Sequence, residues 1–157
     1  MIKVLFVCLG NICRSPMAEF IFKDMINKKG LTSGFIIKSA ATSYEEIGND
    51  MHYGAKEKLN QKHIPFSKRV ASRITPEDYK YYDFIIGMEE SNIRNIKRIV
   101  GEDVDNKISK LLDYSDNPRD IADPWYTGNF EITYNDIVEG CTGFIKYLEN
   151  NSNLYKI

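Results

Sequence analysis

Cysteine is scarce in this chain, and the few present do not pair up. Cys8, Cys13 and Cys141 are the only three in 157 residues, an odd count in a chain long enough to bury roughly two-thirds of its unfolded surface without staples. A disulfide framework is therefore excluded, and the thiols must serve packing or chemistry. Histidine is scarcer still. His52 and His63 stand alone, and neither has the partner spacing a zinc site with Cys8 and Cys13 would need, so no metal is expected. Charge of one sign is also lacking: 21 basic against 22 acidic side chains leave a net charge of -1. No overall field draws in nucleic acid or an anionic membrane. Long apolar runs are absent too, because the opening MIKVLFVCL breaks at Gly10 and Asn11. That is too short for a secretory signal or a membrane span, so a cytosolic (cytoplasmic) protein is expected. With no repeat, low-complexity tract or linker, residues 1–157 read as a single domain.

What is present is an alternation of strand and helix patterns. Ile2 to Val7 is a short apolar, β-branched run ending at Gly and Asn, as a buried parallel strand does. A helix follows, with Ser15 placed to cap it, Pro16 at its first position, and Met17, Phe20, Ile21 and Met25 at helical spacing up to Lys28 and Gly30. The pattern predicts further strands at Phe35 to Ser39, Phe84 to Met88 and Ile108 to Leu112. It predicts helices at Asp50 to Lys62 and Glu89 to Val100, and a long C-terminal helix marked by Tyr134, Ile137, Val138, Cys141, Phe144, Ile145 and Leu148. This order implies an α/β fold: one three-layer domain with a four-stranded parallel sheet, helices on both faces, and ligands beyond the carboxyl ends of the strands. The longest irregular stretch, Tyr114 to Glu131, is a candidate functional loop.

The residues VCLGNICRSP, 7 to 16, carry the chemistry. If a strand ends at Cys8 and a helix starts near Ser15, the backbone of Leu9, Gly10, Asn11, Ile12, Cys13 and Arg14 must curl at the sheet edge with N–H groups facing inward, as an anion nest does. Gly10 and Asn11 tolerate left-handed backbone angles. Arg14 adds a planar fork matched to two phosphate oxygens. The same positive field favours the ionised, nucleophilic form of Cys8, so the loop suits phosphoryl transfer through a phosphocysteine. A lone cysteine after a strand could be a small core residue. The Gly-Asn turn and the Ser-Pro helix start together select the cradle. A leaving oxygen also needs a proton, and Asp123 in DIADPWYTG is the favoured donor, with Trp125 and Tyr126 suited to wall a flat aromatic group. Asp-Pro as a simple turn starter is the alternative there, and Asp120 is the rival carboxylate.

With these residues in view, CLGNICRS after the first strand and DPWY in a late loop resemble the low-molecular-weight protein tyrosine phosphatases. The likeness extends to SAATS at 39 to 43 and DFIIGMEESNIR at 83 to 94, and so covers nearly the whole chain. It implies that Cys8 is the nucleophile, Arg14 the phosphate-binding arginine and Asp123 the general acid, later the base that prepares water. It implies supporting roles for Asn11, which holds the strained turn, for Ser15, whose hydroxyl steadies the thiolate, and for Ser39 beneath the cradle. Cys13 matches a second cysteine able to form a disulfide with the nucleophile under oxidation, whereas Cys141 is read as core. Tyr126 matches a tyrosine that is phosphorylated in some relatives.

One departure stands out. Where many relatives place an aromatic after SAATS, this chain has YEEIG, so that Glu45, beside Tyr44 and Glu46, takes the substrate wall opposite the acid loop. A carboxylate there favours basic residues flanking a phosphotyrosine. Expected partners are phosphotyrosine-containing proteins or small aryl phosphates, with no cofactor and a monomeric enzyme. An arsenate reductase of this fold and a cysteine phosphocarrier are the rivals. The first relays a disulfide to downstream cysteines that this chain lacks between Cys13 and Cys141, and the second has no need of Asp123 or aromatic walls.

Overall fold

The structure is a computed structural model and describes residues 1–151; residues 152–157, the end of the single-domain reading, lie outside the described part. Strand β1 (Ile2–Cys8) is flanked by β2 (Phe35–Ala41) and β3 (Phe84–Gly87), and β4 (Ile108–Lys110) completes the sheet beyond β3. All pairings are parallel, in the order β2-β1-β3-β4. The β1–β2 register runs unbroken from Ile2 opposite Phe35 to Cys8 opposite Ala41.

Because neighbouring strand residues point to opposite faces, β1 splits the apolar residues into two cores. Val4, Phe6 and Cys8 join the larger one, with Met17, Phe22, Leu59, Ile137 and Phe144. These partners come from helices α1 (Arg14–Lys28), α2 (Tyr53–Gln61) and α6 (Phe130–Asn151). Leu5 and Val7 join the smaller one, with Tyr79 and Ile96, from α3 (Pro76–Tyr81) and α4 (Glu90–Val100). Three layers with helices on both faces result. The chain leaves β1 for β2 on one side and later returns to β3 on the other. That reversal opens a crevice at the carboxyl end of β1, where ligands bind in open parallel sheets. Cys8 is the last residue of that strand.

The structure departs from the sequence reading in several local features. The second helix starts at Tyr53 rather than Asp50, because His52 Nδ1 accepts the Gly54 N–H at 3.0 Å and caps it. Helix α3 was not anticipated: it holds one buried residue, Tyr79, too few for a periodic signal. A Thr75–Asp78 capping box and Pro76 start it. The fourth strand stops at Lys110. Asp113 Oδ2 accepts the Lys110 N–H at 2.9 Å, and the resulting turn buries Leu111 and Leu112 in the larger core. The stretch expected to be irregular contains a short helix, α5 (Pro124–Thr127), closed by Gly128 at φ 71. Ser15 is not the cap of α1, which begins at Arg14, two residues before Pro16, after Cys13 and without a side-chain cap. Its hydroxyl is engaged elsewhere. Cys141 is fully buried in the larger core, as read.

Candidate active site

The loop from Cys8 to Arg14 turns back on the sulfur of Cys8. The N–H groups of Asn11 and Ser15 point at that sulfur from 3.3 and 3.4 Å, and the Ser15 hydroxyl lies 3.0 Å from it. Asn11 Nδ2 donates to the Ser15 hydroxyl at 2.7 Å and to Ser39 at 3.0 Å, so the proton of Ser15 points either to the sulfur at 3.0 Å or to the more distant Ala40 carbonyl at 3.5 Å. Ser39 in turn donates to the buried Glu19 carboxylate at 2.7 Å. The serines thus form a polar bracket behind the loop.

The outward side of the loop explains its inward side. In a trans peptide the carbonyl and the next N–H point in opposite directions, so tying a carbonyl outward aims the following amide inward. Thr42 N–H takes the Cys8 carbonyl at 3.0 Å, Ser43 N–H the Leu9 carbonyl at 3.0 Å, and His52 N–H the Ile12 carbonyl at 2.8 Å. The Asn11 carbonyl accepts from Arg69 Nη2 at 2.7 Å. Segments far apart in sequence therefore shape the nest from outside. Asn11 alone in the loop is left-handed, at φ 58; Gly10, expected to share that conformation, does not. A side chain at Gly10 would instead meet Glu46 Cγ at 3.4 Å along the cleft wall.

Arg14, only 1 % exposed, closes the ring. Its Nη1 donates to the Ile121 carbonyl at 2.9 Å and pairs with Glu89 at 3.2 Å, and its Nη2 lies 3.3 Å from Asp123 Oδ2. Asp123 caps α5 through its other oxygen, which accepts Trp125 N–H at 3.0 Å. The acid loop is tied down behind this point. Ile121 is fully buried with its N–H on the Met88 carbonyl, Thr133 donates to the Ala122 carbonyl, and Arg119 pairs with Asp136 and Glu139 of α6.

These residues enclose one cleft of about 110 Å3, lined by Cys8, Leu9, Gly10, Ile12, Cys13, Arg14, Glu45, Glu46, Asp123, Trp125 and Tyr126. Every residue singled out from the sequence lines it except Asn11, Ser15 and Ser39, which form the bracket beneath. Asp120, the rival carboxylate, is drawn away to Lys110 and the N–H of Glu90. Cys13 is buried at the cleft floor. Burial first, then the charge of Cys8, pushes its thiol up to about 12. Glu19, His52, Arg69 and Glu89 escaped the sequence reading as contributors to the site. Glu89 sits at an acidic helix start and Arg69 follows Lys68 in a loop; neither has a local pattern to mark it. Among the described residues, no group of three or more His, Cys, Asp or Glu side chains could hold a metal ion, and no helix is long and apolar enough to cross a membrane.

Comparison with known proteins identifies the lineage of this arrangement. The family model described as low molecular weight phosphotyrosine protein phosphatase matches residues 3–154. YfkJ of Bacillus subtilis, a low molecular weight protein-tyrosine-phosphatase by name, is 40% identical over 156 residues, 98% of this chain and 100% of its own length. Its crystal structure aligns with a TM-score of 0.93 over 97% of both chains. PtpA of Staphylococcus epidermidis is 38% identical over 98% of each sequence. The structure of SP-PTP from Streptococcus pyogenes aligns with a TM-score of 0.85, covering 94% of this chain and 93% of that one at 38% identity. Matched along nearly its whole length in both sequence and fold, the chain belongs to the low molecular weight phosphotyrosine protein phosphatase family.

Proposed function

We propose that residues 1–157 form one catalytic domain that hydrolyses phosphotyrosine in proteins, and small aryl phosphate monoesters, through a phosphocysteine on Cys8. One observation carries the reading: a sulfur, a buried guanidinium and a carboxylate converge in a single cleft between inward amides and exposed aromatic walls. The phosphate dianion settles in the nest, its oxygens taken by the loop amides and the Arg14 fork. The Cys8 sulfur then attacks phosphorus in line as the P–O bond to the ring breaks, and the electron pair goes to the phenolic oxygen. Phosphate drawn to Arg14 displaces Asp123 from the guanidinium; Asp123, freed of that charge, takes up a proton from solvent and delivers it to that oxygen. In the second half Asp123 takes a proton from water. The water oxygen bonds to phosphorus, the S–P bond breaks, and inorganic phosphate leaves.

The other residues fall into place around this sequence. Ser15 donates to the departing sulfur, while Asn11 and Ser39 keep Ser15 aimed. Trp125 and Tyr126 flank the aryl group. Cys13 is the redox partner: peroxide oxidises Cys8 to a sulfenic acid, and the Cys13 sulfur displaces water from it to form the disulfide. Glu45 is exposed at the mouth and forms no ion pair among the described residues, which leaves its charge free for basic residues beside the phosphotyrosine. An arsenate reductase would need a relay cysteine between Cys13 and Cys141, and a phosphocarrier would not need a carboxylate facing the guanidinium.

Steady release of phosphate from 4-nitrophenyl phosphate tests the reading. C8S should abolish turnover, and D123A should slow it by about 10²–10³-fold, the usual worth of a positioned acid. Turnover that survives in C8S would overturn the mechanism.

A further inference from the structure

Arg69 has no part in the chemistry just described, yet its guanidinium is hydrogen-bonded to the loop from outside. A single nitrogen, Nη2, donates both to the Asn11 carbonyl at 2.7 Å and to the Asn11 side-chain oxygen. Ser72 N–H reaches that side-chain oxygen at 3.3 Å from the other side. Asn11 is the residue that such support serves, since it alone in the loop holds a left-handed backbone, at φ 58. The carbonyl contact also has a direction. It fixes the peptide plane between Asn11 and Ile12, and so points the Ile12 N–H toward the side where phosphate would lie.

The charge of Arg69 is confined. Its other terminal nitrogen, Nη1, is buried and has no hydrogen-bond partner, an arrangement that in a native protein calls for an explanation. Burial lowers the proton affinity of the guanidinium, while the negative charges of Glu19, Asp50 and Cys8 raise it. Through Asn11 the same side chain lies one residue from the nucleophile: Nη2 holds the Asn11 carbonyl while the Asn11 N–H points at the Cys8 sulfur from 3.3 Å, and a nearby positive charge favours a thiolate. The guanidinium therefore acts on the sulfur from behind the loop, as Arg14 does from the cleft.

We propose that Arg69 is a positioning residue of the phosphate cradle: it locks the left-handed turn at Asn11, aims the Ile12 amide inward, and holds a positive charge behind the nucleophilic sulfur. The proposal rests on the phosphatase reading for its catalytic consequence but not for its electrostatic one. The other charged or titratable groups that act on Cys13 and on Arg69, the two neighbours of the sulfur, are Arg14 from α1, Asp123 and Glu46 from the cleft walls, and Glu19 and Asp50 behind Arg69. All remain in every variant below.

The experiment compares the wild type with R69K, R69Q and R69M by two readouts. The first is the pH dependence of Cys8 alkylation by iodoacetamide, located by peptide mass spectrometry, which needs no turnover. R69M and R69Q should move its midpoint to higher pH, and R69K should keep it near the wild type. The second is hydrolysis of 4-nitrophenyl phosphate. R69M and R69Q should lose about 10²-fold in kcat/KM, the scale of a misdirected oxyanion donor, and R69K should recover about tenfold of that loss. A merely structural role would lower the melting temperature and leave the alkylation midpoint of the folded fraction in place. Should R69M fail to fold, R69Q, which keeps a donor without the charge, supplies the comparison. Folded R69Q or R69M with the wild-type midpoint and wild-type kcat overturns the proposal. A wild type that alkylates as expected but releases no phosphate instead overturns the phosphatase reading.

Discussion

The floor and the rim of the cleft are built in opposite ways. On the floor, Cys8, Asn11, Cys13, Arg14 and Ser15 are all buried, and loop carbonyls are held by Thr42, Ser43, His52 and Arg69 from outside. At the rim, Trp125 and Tyr126 are 57 and 78 % exposed, and Glu45 forms no ion pair among the described residues. Preorganised donors stabilise charge without rearranging at the moment of reaction, and that requires burial and cross-linking by hydrogen bonds. A rim left loose can accept substrates of different shape, because contacts there adapt at little cost. The phosphate end is the same for every substrate in the proposed reaction, and the flanking end is not. The difference in construction follows the difference in task.

The largest effect that could break this contrast belongs to Arg14. Lysine keeps the charge and could occupy much the same space, but offers a point charge where the guanidinium offers a fork. If the floor works by geometry, R14K should lower kcat/KM for aryl phosphates by about 10- to 10⁴-fold, the loss of one or two charge-assisted hydrogen bonds at about 1.5–3 kcal/mol each. Steady-state kinetics on a variant shown by thermal melting to be folded decides it. A loss under tenfold would mean that charge alone suffices and that the elaborate pinning of the loop serves something else.

Within the floor, the two cysteines sharpen the comparison. Both are buried and both line the cleft, but Cys8 receives donors while Cys13 caps α1 without any. Burial and the neighbouring negative charge push the Cys13 thiol up to about 12, so at pH 8 it keeps its proton, whereas the thiolate is the form that reacts. Iodoacetamide at pH 8 should label Cys8 at least about 10²-fold faster than Cys13, read by peptide mapping over time. The sign for stability follows from the same shift. A thiol that holds its proton longer when folded leaves stability intact below its ordinary value of 9.0 and drains it as pH climbs from there toward about 12. Equal labelling of the two cysteines would show that the loop opens freely and is not the rigid half of the pair.

What was legible in the sequence follows the same division. The four strands and the large helices announce themselves because buried elements need apolar residues at fixed periods. The floor was readable for a second reason: Cys8 through Ser15 lie together in the chain, so turn residues, helix start and chemistry fall in one window. Arg69 and Glu89 were invisible because each reaches the loop from a distant segment as a single charged side chain, and no local pattern separates such a residue from a solvated one. Asp120 and Asp123 share one loop and one residue type. Only the fold sends the first to Lys110 and the second to Arg14. Helix α3 was missed because, with one buried residue, a capping box is its main signal.

The smallest expected effect tests the rim. Glu46 is half-buried and accepts from Asn49 Nδ2 at 2.7 Å, whereas exposed Glu45 forms no ion pair among the described residues, which leaves its charge at the mouth open to a partner. A flanking lysine or arginine on a phosphotyrosine peptide would meet that charge in water, where an exposed pair is worth about 0.2–1 kcal/mol. In rate terms this is a preference of about 1.5- to 5-fold for basic over acidic flanks in kcat/KM, and it should fade as salt rises, because screening at 1 M acts within about 3 Å. The double variant E45Q/E46Q should remove the preference and leave hydrolysis of uncharged-flank peptides and of 4-nitrophenyl phosphate as they were. If the preference survives the variant, the selection lies with the aromatic wall at Trp125 and Tyr126, and the carboxylates are solvated bystanders. If 4-nitrophenyl phosphate turnover falls as well, then Glu46, which touches the space beside Gly10, belongs to the floor, and the line between the two halves of the cleft must be redrawn one residue lower.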